Sequence, residues 1–565
     1  MATQPKKQNF LHGATLLALA TVIVKVIGAV YKIPLQAILG KIGYSYFSSA
    51  YDIYTLLLLI STAGLPVAMS RMISEASSLA DHARTRRVYN TSRAIFFIIG
   101  AVSTALMMLF CKALAASQKQ PDAALAIFCL APCAFLMSVI STYRGFFQGQ
   151  GNMIPTSKSQ VLEAVFKLGA GLVGAVLILQ LGGSISLAAA GAILGVTVSC
   201  AVSVAYLFWV FHKSAGPEIL GEKAPLFCGD TAKKLLAIAV PITIGAAGLQ
   251  LLIVAETSLY MNRLVELLDS GKLQGQLVEA LRAEVLAEAG KAGETLTTAQ
   301  INSRIAASMK GIYNFGQTIY NLPNSLITPI TISIIPAITD CLTLGDHKGV
   351  KENSESAARI TGLLSLPCAV GLMVLSKPIM GLLGGYTGVQ LDFAAKLLTL
   401  LGISVFMRAL VLFTNSLMQA NGHANIPVIN MLTVGAVRMG LVFLLVGNPK
   451  LGLLAVPALT ALGNAVTAVL NLICLAKVVP HKSAIARNVL RPLIPALLMG
   501  AAAFGTWQLI IRILGESCSR IIQVGGPMGV AVVVYIVFAA WLKSITREDC
   551  LLLPKGDKIA RLLRL

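Results

Sequence analysis

The sequence predicts an all-α polytopic membrane protein of about fourteen transmembrane helices: two six-helix lobes, a C-terminal pair and a central cationic cavity. Three observations carry this reading. First, 56% of the 565 residues are hydrophobic and only 12% are charged, with a mean hydropathy of +0.79. Second, apolar runs of about 20 residues, the length a helix needs to cross a bilayer, recur from end to end. Third, the first six runs are echoed by the next six. A β-barrel is excluded, because its strands would alternate in polarity at every second residue.

The expected cores are 11–38, 46–68, 90–112, 122–143, 159–181, 185–211, 235–260, 311–337, 357–383, 391–418, 426–447, 451–476, 490–513 and 523–542. The first is too long for a signal-peptide core and lacks a small-residue cleavage site, so it reads as a retained helix. A Gly43-Tyr44 turn joins it to the second, which carries Asp52 and ends in Gly64-Leu65-Pro66 and Arg71. Pro241, Pro323, Pro329 and Pro336 are read as further bends. Residues 262–310 are polar, Ala- and Glu-rich and nearly charge-balanced. They predict one or two external amphipathic helices acting as an ordered spacer.

The formal charge of +21 fits a membrane protein whose basic loops hold the cytoplasmic side. Nucleic acid is not an expected partner. Lys6 and Lys7, Arg84 to Arg87, Arg144 and Lys158, Lys233 and Lys234, and the tail with Lys555 and Arg561 fall on one set of flanks. That distribution puts both termini in the cytoplasm. The 10 cysteines lie mostly in apolar segments and read as buried small hydrophobes. No Walker A, HExxH or G-x-S-x-G sequence is present, so neither an enzyme nor a resident metal or cofactor is expected.

The repeat is clearest between STYRGFFQGQGNMIPTSKSQVLEAVFKLG and LFTNSLMQANGHANIPVINMLTVGAVRMG. Gln148, Lys167 and Gly169 match Gln419, Arg438 and Gly440 at a constant offset of 271, and a weaker echo sets Tyr51 opposite Tyr320. Six helices per copy gives both copies the same orientation in the membrane. The expected domains are residues 1–222, residues 223–482 with the insert 262–310, and residues 483–565 with a basic tail.

A charge placed mid-bilayer costs roughly 2.5–3.5 kcal/mol on insertion scales, so it usually serves a function. Lys25, Lys167, Arg408 and Arg438 fall at middle depth, with Lys32 and Glu256 nearer the outer face and Arg71 and Arg144 nearer the inner face. Glu163, one turn from Lys167, is expected to pair with it. The surplus of buried bases calls for an anion in a hydrated cleft between the lobes. Phosphate or diphosphate suits Lys and Arg, whereas an organic cation would want carboxylates.

GAVYKIPLQAILG, STAGLPVAMSRMISE and RGFFQGQGNMIP resemble the stage V sporulation protein B group. That group belongs with the MurJ-type lipid II flippases in the multidrug/oligosaccharidyl-lipid/polysaccharide exporter superfamily. The resemblance covers nearly the whole chain. It implies alternating-access export of an undecaprenyl-diphosphate-linked saccharide, such as lipid II or a polysaccharide precursor, across the bacterial cytoplasmic membrane. The purpose implied is cell-wall, spore-cortex or polysaccharide synthesis, with membrane lipids and cell-wall synthesis proteins as partners. VKVIGAVYK is similar to the flippases' first-helix arginine motif, with Lys25 at the first basic position and Lys32 one residue past the second. Their eighth-helix arginine and the acid after it fall at Thr318 and Asn321, and their second-helix arginine pair has no counterpart. Glu256 stands where some relatives place a sodium-ligating Asp. The expected diphosphate contacts are therefore Lys25, Lys32, Lys167, Arg408 and Arg438. Glu256, Glu163, Arg71 and Arg144 are the coupling or gating candidates, with sodium, a proton or the membrane potential as driving force. The alternatives are a cation-coupled multidrug exporter of the same fold and a non-transporting scaffold or integral membrane transferase.

Overall fold

Helix α1 (Phe10–Thr62) opens the fold and holds its first reversal. Its helical run is broken at Gly40, whose φ of 67° and ψ of −173° turn the chain. The rings of Tyr31 and Phe47 lie 6.0 Å apart. In a straight helix sixteen residues would separate them by about 24 Å, so the two arms of α1 run back along each other. The expected turn at Gly43-Tyr44 is displaced to Gly40, the residue that takes up the left-handed φ. Gly43 is already helical and lies against Leu39 and Ile185.

The computed structural model describes residues 10–62, 64–79, 81–214, 224–291, 295–423, 425–478, 485–515, 518–542 and 544. Lys6, Lys7 and the basic tail lie outside them. After α1 come α2 (Leu65–Ser78), α3 (His82–Ser117), α4 (Ala124–Gly149), α5 (Ile154–Gln180), α6 (Ile185–Ser214) and α7 (Gly229–Asp269). The insert contributes one separate helix, α8 (Gln276–Lys291), and its remaining ends extend α7 and α9 (Thr298–Thr343). Then follow α10 (His347–Val374), α11 (Ser376–Gly384), α12 (Gly388–Ala420), α13 (Asn425–Val446), α14 (Ala455–Val478), α15 (Ile485–Leu490), α16 (Leu493–Leu514) and α17 (Arg520–Trp541). Among the described residues, twelve helices are long and apolar enough to cross a membrane, and α1 enters that number once.

Two boundaries differ from expectation. The ninth core, 357–383, is divided at Leu375 into α10 and α11. Pro241 does not break its helix, since α7 runs through it, and α9 is likewise continuous past Pro323, Pro329 and Pro336. Gly64-Leu65-Pro66 does separate the end of α1 from α2. Gly64 N–H donates to Thr243 Oγ1 at 3.2 Å. A Cβ on Gly64 would run into the carbonyl oxygen of Ala239 on α7, so that close approach admits only glycine.

The chain forms two compact units. The first comprises the described residues up to Asp269 together with Val285–Gly311; the second comprises Ser270–Glu284 and the chain from Ile312 onward. In the first unit α5 and α6 meet backbone to backbone. Gly171 lies against Gly195 and Gly174 against Gly191, so the G-A-I-L-G run of α6 is a small-residue seam of the kind membrane helices use. In the second unit α16 and α17 pack on α10 and α11 through Leu375, Met499, Ala503 and Ala531. There, Tyr535 OH donates to the carbonyl of Leu363 at 2.7 Å.

The repeat is visible as geometry inside each unit. Lys167 is the fourteenth residue of α5 and Arg438 the fourteenth of α13. Helix α4 stops on Gly151 (φ 75°) and α12 on Gly422 (φ 79°), 271 residues apart. Both close with the same pair of bonds, Asn152 N to Phe147 O with Gly151 N to Gln148 O, and His423 N to Met418 O with Gly422 N to Gln419 O.

Candidate substrate-contact site

Lys167 on α5 is the centre of the first unit's polar interior. Its ammonium donates to Tyr51 OH at 2.9 Å. It also lies 4.4 Å from the centroid of the Tyr51 ring and 5.8 Å from that of Tyr31. Tyr31 is on the first arm of α1 and Tyr51 on the second, so the reversal at Gly40 brings both to one lysine. The rings are themselves held in a row. Phe47 stacks on Tyr51 at 5.9 Å, Tyr54 meets Tyr51 edge-on at 5.7 Å, and Tyr31 is buried beside Gly171 with its hydroxyl directed at the carbonyl of Ala192.

Lys32 is half-buried next to this group, in the field of both Lys167 and Asp52. Asp52 in turn feels Lys32 and Lys310. The structure therefore gathers Lys32, Asp52 and Lys167. Lys25 lies two turns before Lys32 on the same arm and is exposed on the unit.

The expected Glu163–Lys167 pair is not formed. Glu163 accepts from Arg144 Nη2 at 3.0 Å instead, and Arg144 Nε donates to Ser159 Oγ at 2.9 Å. A guanidinium from α4 holds α5 at two points, one on the Glu163 carboxylate and one on the Ser159 hydroxyl, which an i,i+4 lysine on the same helix cannot match. Arg71 is exposed and pairs with Glu75, which also takes Arg84, so it is a surface group. Glu256 is buried on α7. In the second unit Arg408 is half-buried on α12, and the Arg438 side chain lies along α14, where Gly463 leaves room for its Cδ.

Lys310 was not anticipated. It is fully buried and donates to Ser49 Oγ at 2.6 Å and Gln118 Oε1 at 2.9 Å. It closes a stretch read as a solvated spacer. The signal against that reading was local: Ala306, Ala307 and Gly311 around it are the small residues of a close helix contact.

The comparisons with known proteins agree with this architecture. The family model for polysaccharide biosynthesis proteins matches residues 10–342, and that for the lipid II flippase MurJ matches residues 223–517. Each covers more than half of the chain. The chain is similar to the uncharacterized membrane protein YabM of Bacillus subtilis (strain 168), with 26% identity over 99% of this chain and 97% of that one. It is also similar to stage V sporulation protein B of the same organism, with 25% identity over 84% of this chain and 85% of that one. Among solved structures, the lipid II flippase MurJ in an inward closed conformation superposes with a TM-score of 0.62 at 13% identity, covering 93% of this chain and 98% of that one. The chain is thus a multi-pass membrane protein that belongs to the polysaccharide biosynthesis protein family and, over its second half, matches the lipid II flippase MurJ family.

Proposed function

We propose that this protein moves an undecaprenyl-diphosphate-linked saccharide, lipid II or a polysaccharide precursor, from the inner to the outer leaflet of the bacterial cytoplasmic membrane, with both termini in the cytoplasm. One observation supports this most. The Lys167 ammonium is held by a phenol and two ring faces, all neutral, with Lys32 beside it. Asp52, in the field of Lys32, offsets one of the two charges, while the neutral partners of Lys167 orient its ammonium without cancelling it, so the group of three keeps a net positive charge inside a membrane segment. A diphosphate bridging the two ammonium groups would satisfy both.

In this reading Lys167 and Lys32 receive the diphosphate, and Lys25, Arg408 and Arg438 are further basic contacts. Glu163 and Arg144 fix α4 to α5, and Glu256 is a coupling candidate. The prenyl chain stays in lipid, and the protein makes and breaks no covalent bond. Reconstitution into proteoliposomes loaded with labelled undecaprenyl-diphosphate sugars tests the proposal, with arrival of the sugar at the far leaflet as readout. Protein-dependent transfer is expected. A rate equal to that of empty liposomes would overturn it.

A further inference from the structure

Asp52 is the acid set among the basic residues of the first unit, and its carboxylate lies in the field of both Lys32 and Lys310. Left to Lys32 alone, it would take up the charge that an anion needs there. The surroundings of Lys310 decide which lysine it serves. Ser45, Ser49 and Asp52 fall four and three residues apart, on one face of the second arm of α1. Gly311 lies flat on the carbonyl of Lys41 at the head of that arm, where any Cβ would collide, so α9 runs close to it. The Lys310 ammonium donates to Ser49 Oγ at 2.6 Å, one helical turn from Asp52, and to Gln118 Oε1 at 2.9 Å.

This frame holds Lys310 in place. Ser49 in turn donates to Gln120 Oε1 at 2.7 Å, and Gln120 Nε2 donates to Ser45 Oγ at 2.9 Å. Ser45, Ser49, Gln118 and Gln120 are all buried. Both acceptors of the ammonium are neutral, so the frame orients its charge and leaves it for Asp52. Asp52 is held as well, since Gln250 Nε2 of α7 donates to its backbone carbonyl at 3.4 Å. A buried charge pair is no more stable than apolar side chains of similar volume, so packing alone gives no reason for a lysine at 310. Its field does. Lys32, Lys167 and Lys310 against Asp52 leave two positive charges, and without Lys310 one would remain.

We propose that Lys310 is a positioning residue of the anion site: it neutralises Asp52 and so frees Lys32, with Lys167, for an anionic headgroup. The assignment rests on the reading of Lys32 and Lys167 as the phosphate contacts. Binding of farnesyl diphosphate to the purified protein in nanodiscs is measured by isothermal titration, with farnesol as the control for partitioning into lipid. The parent is expected to bind the diphosphate above the farnesol background. Lys310→Met is expected to weaken binding about tenfold, the order for loss of one charge at an effective dielectric constant of about 20. Asp52→Asn is expected to tighten binding by a similar factor, and the Lys310→Met/Asp52→Asn double variant to return to about the parent's affinity. A purely structural lysine would leave the double variant as weak as the single one. The Asp52→Asn arm stands by itself if Lys310→Met does not fold. Unchanged affinity in Asp52→Asn, or a double variant as weak as Lys310→Met, would overturn the role of Lys310 and leave the anion site standing. A parent that takes up the diphosphate no better than farnesol would overturn both.

Discussion

Lys167→Met tests the assignment of the anion site because it separates function from stability. The substitution keeps the length of the side chain and removes its charge. From the folded state it takes one hydrogen bond to Tyr51 at 2.9 Å and the ring contact at 4.4 Å. These are worth about 1 kcal/mol each. Against that, a half-buried ammonium no longer gives up part of its hydration, a smaller cost than the several kcal/mol of a fully buried ion. The two roughly offset, so the melting midpoint of the detergent-solubilised protein is expected to change little. For transport the balance differs. A charge-assisted hydrogen bond to a phosphate oxygen is worth about 1.5–3 kcal/mol, so its loss lowers flipping about 10- to 150-fold. The proteoliposome assay measures this, with thermal unfolding run in parallel. Flipping within twofold of the parent would refute the role of Lys167, and a large fall in the melting midpoint would refute the reasoning about its neutral clamp.

Three further outcomes are expected. Glu163→Gln leaves the Arg144 guanidinium, 12% exposed, without its carboxylate and should destabilise by about 1–3 kcal/mol, less than the 3–5 kcal/mol of a fully buried pair; a double-mutant cycle with Arg144→Met by thermal unfolding should return a coupling of the same sign. Gly195→Ala drives a methyl into the backbone of Gly171 and should cost about 1–3 kcal/mol, whereas Gly505→Ala, with open space around it, should be nearly silent in the same melt. Cys228, in the connection before α7, is held below the usual thiol range by hydrogen bonds from the hydroxyl and backbone of Thr231; its alkylation rate should reach half-maximum at a lower pH than a free thiol, and should exceed that of the membrane-buried cysteines in peptide-resolved maleimide labelling.

The spans were legible because hydrocarbon demands one thing of a helix, and a run such as IFCLAPCAFLMSVI can satisfy it in only one way. The repeat was legible in Gln148, Lys167 and Gly169 against Gln419, Arg438 and Gly440, and the left-handed helix stops at Gly151 and Gly422 fall at the same offset. One more echo could have been read, since Asp81-His82 and Asp346-His347 open α3 and α10, each aspartate accepting from the backbone N–H three residues on.

The partners of the charges were much less legible. Periodicity set Glu163 beside Lys167, but Arg144 came from another helix and won. The repeat set Tyr51 opposite Tyr320, yet Tyr51 holds Lys167 while the Tyr320 hydroxyl faces Ser404. Where the first unit has Arg144 and Ser159, the second has Asn415 and Asn430 at the same offset, both bonded to Asn471. Position was inherited and chemistry was not, and position is what a repeat encodes. Lys310 was missed because a balanced-charge stretch reads as solvated unless its register against a neighbour is known.

The glycine seam between α5 and α6 has a mechanical consequence. Apolar side chains gain little by leaving lipid for one another, so membrane helices hold by backbone contact and dispersion. A seam of Gly171, Gly174, Gly191 and Gly195 offers no side-chain rotamers along which it could yield. The two helices then behave as one stiff plate, and Lys167 is riveted to it four residues before the first of those glycines. The tyrosines that touch Lys167 belong to the hairpin, and Tyr31 is seated on the plate itself, against Gly171 and the carbonyl of Ala192, so a side chain in place of Gly171 would push the hairpin away from the lysine as well as open the seam.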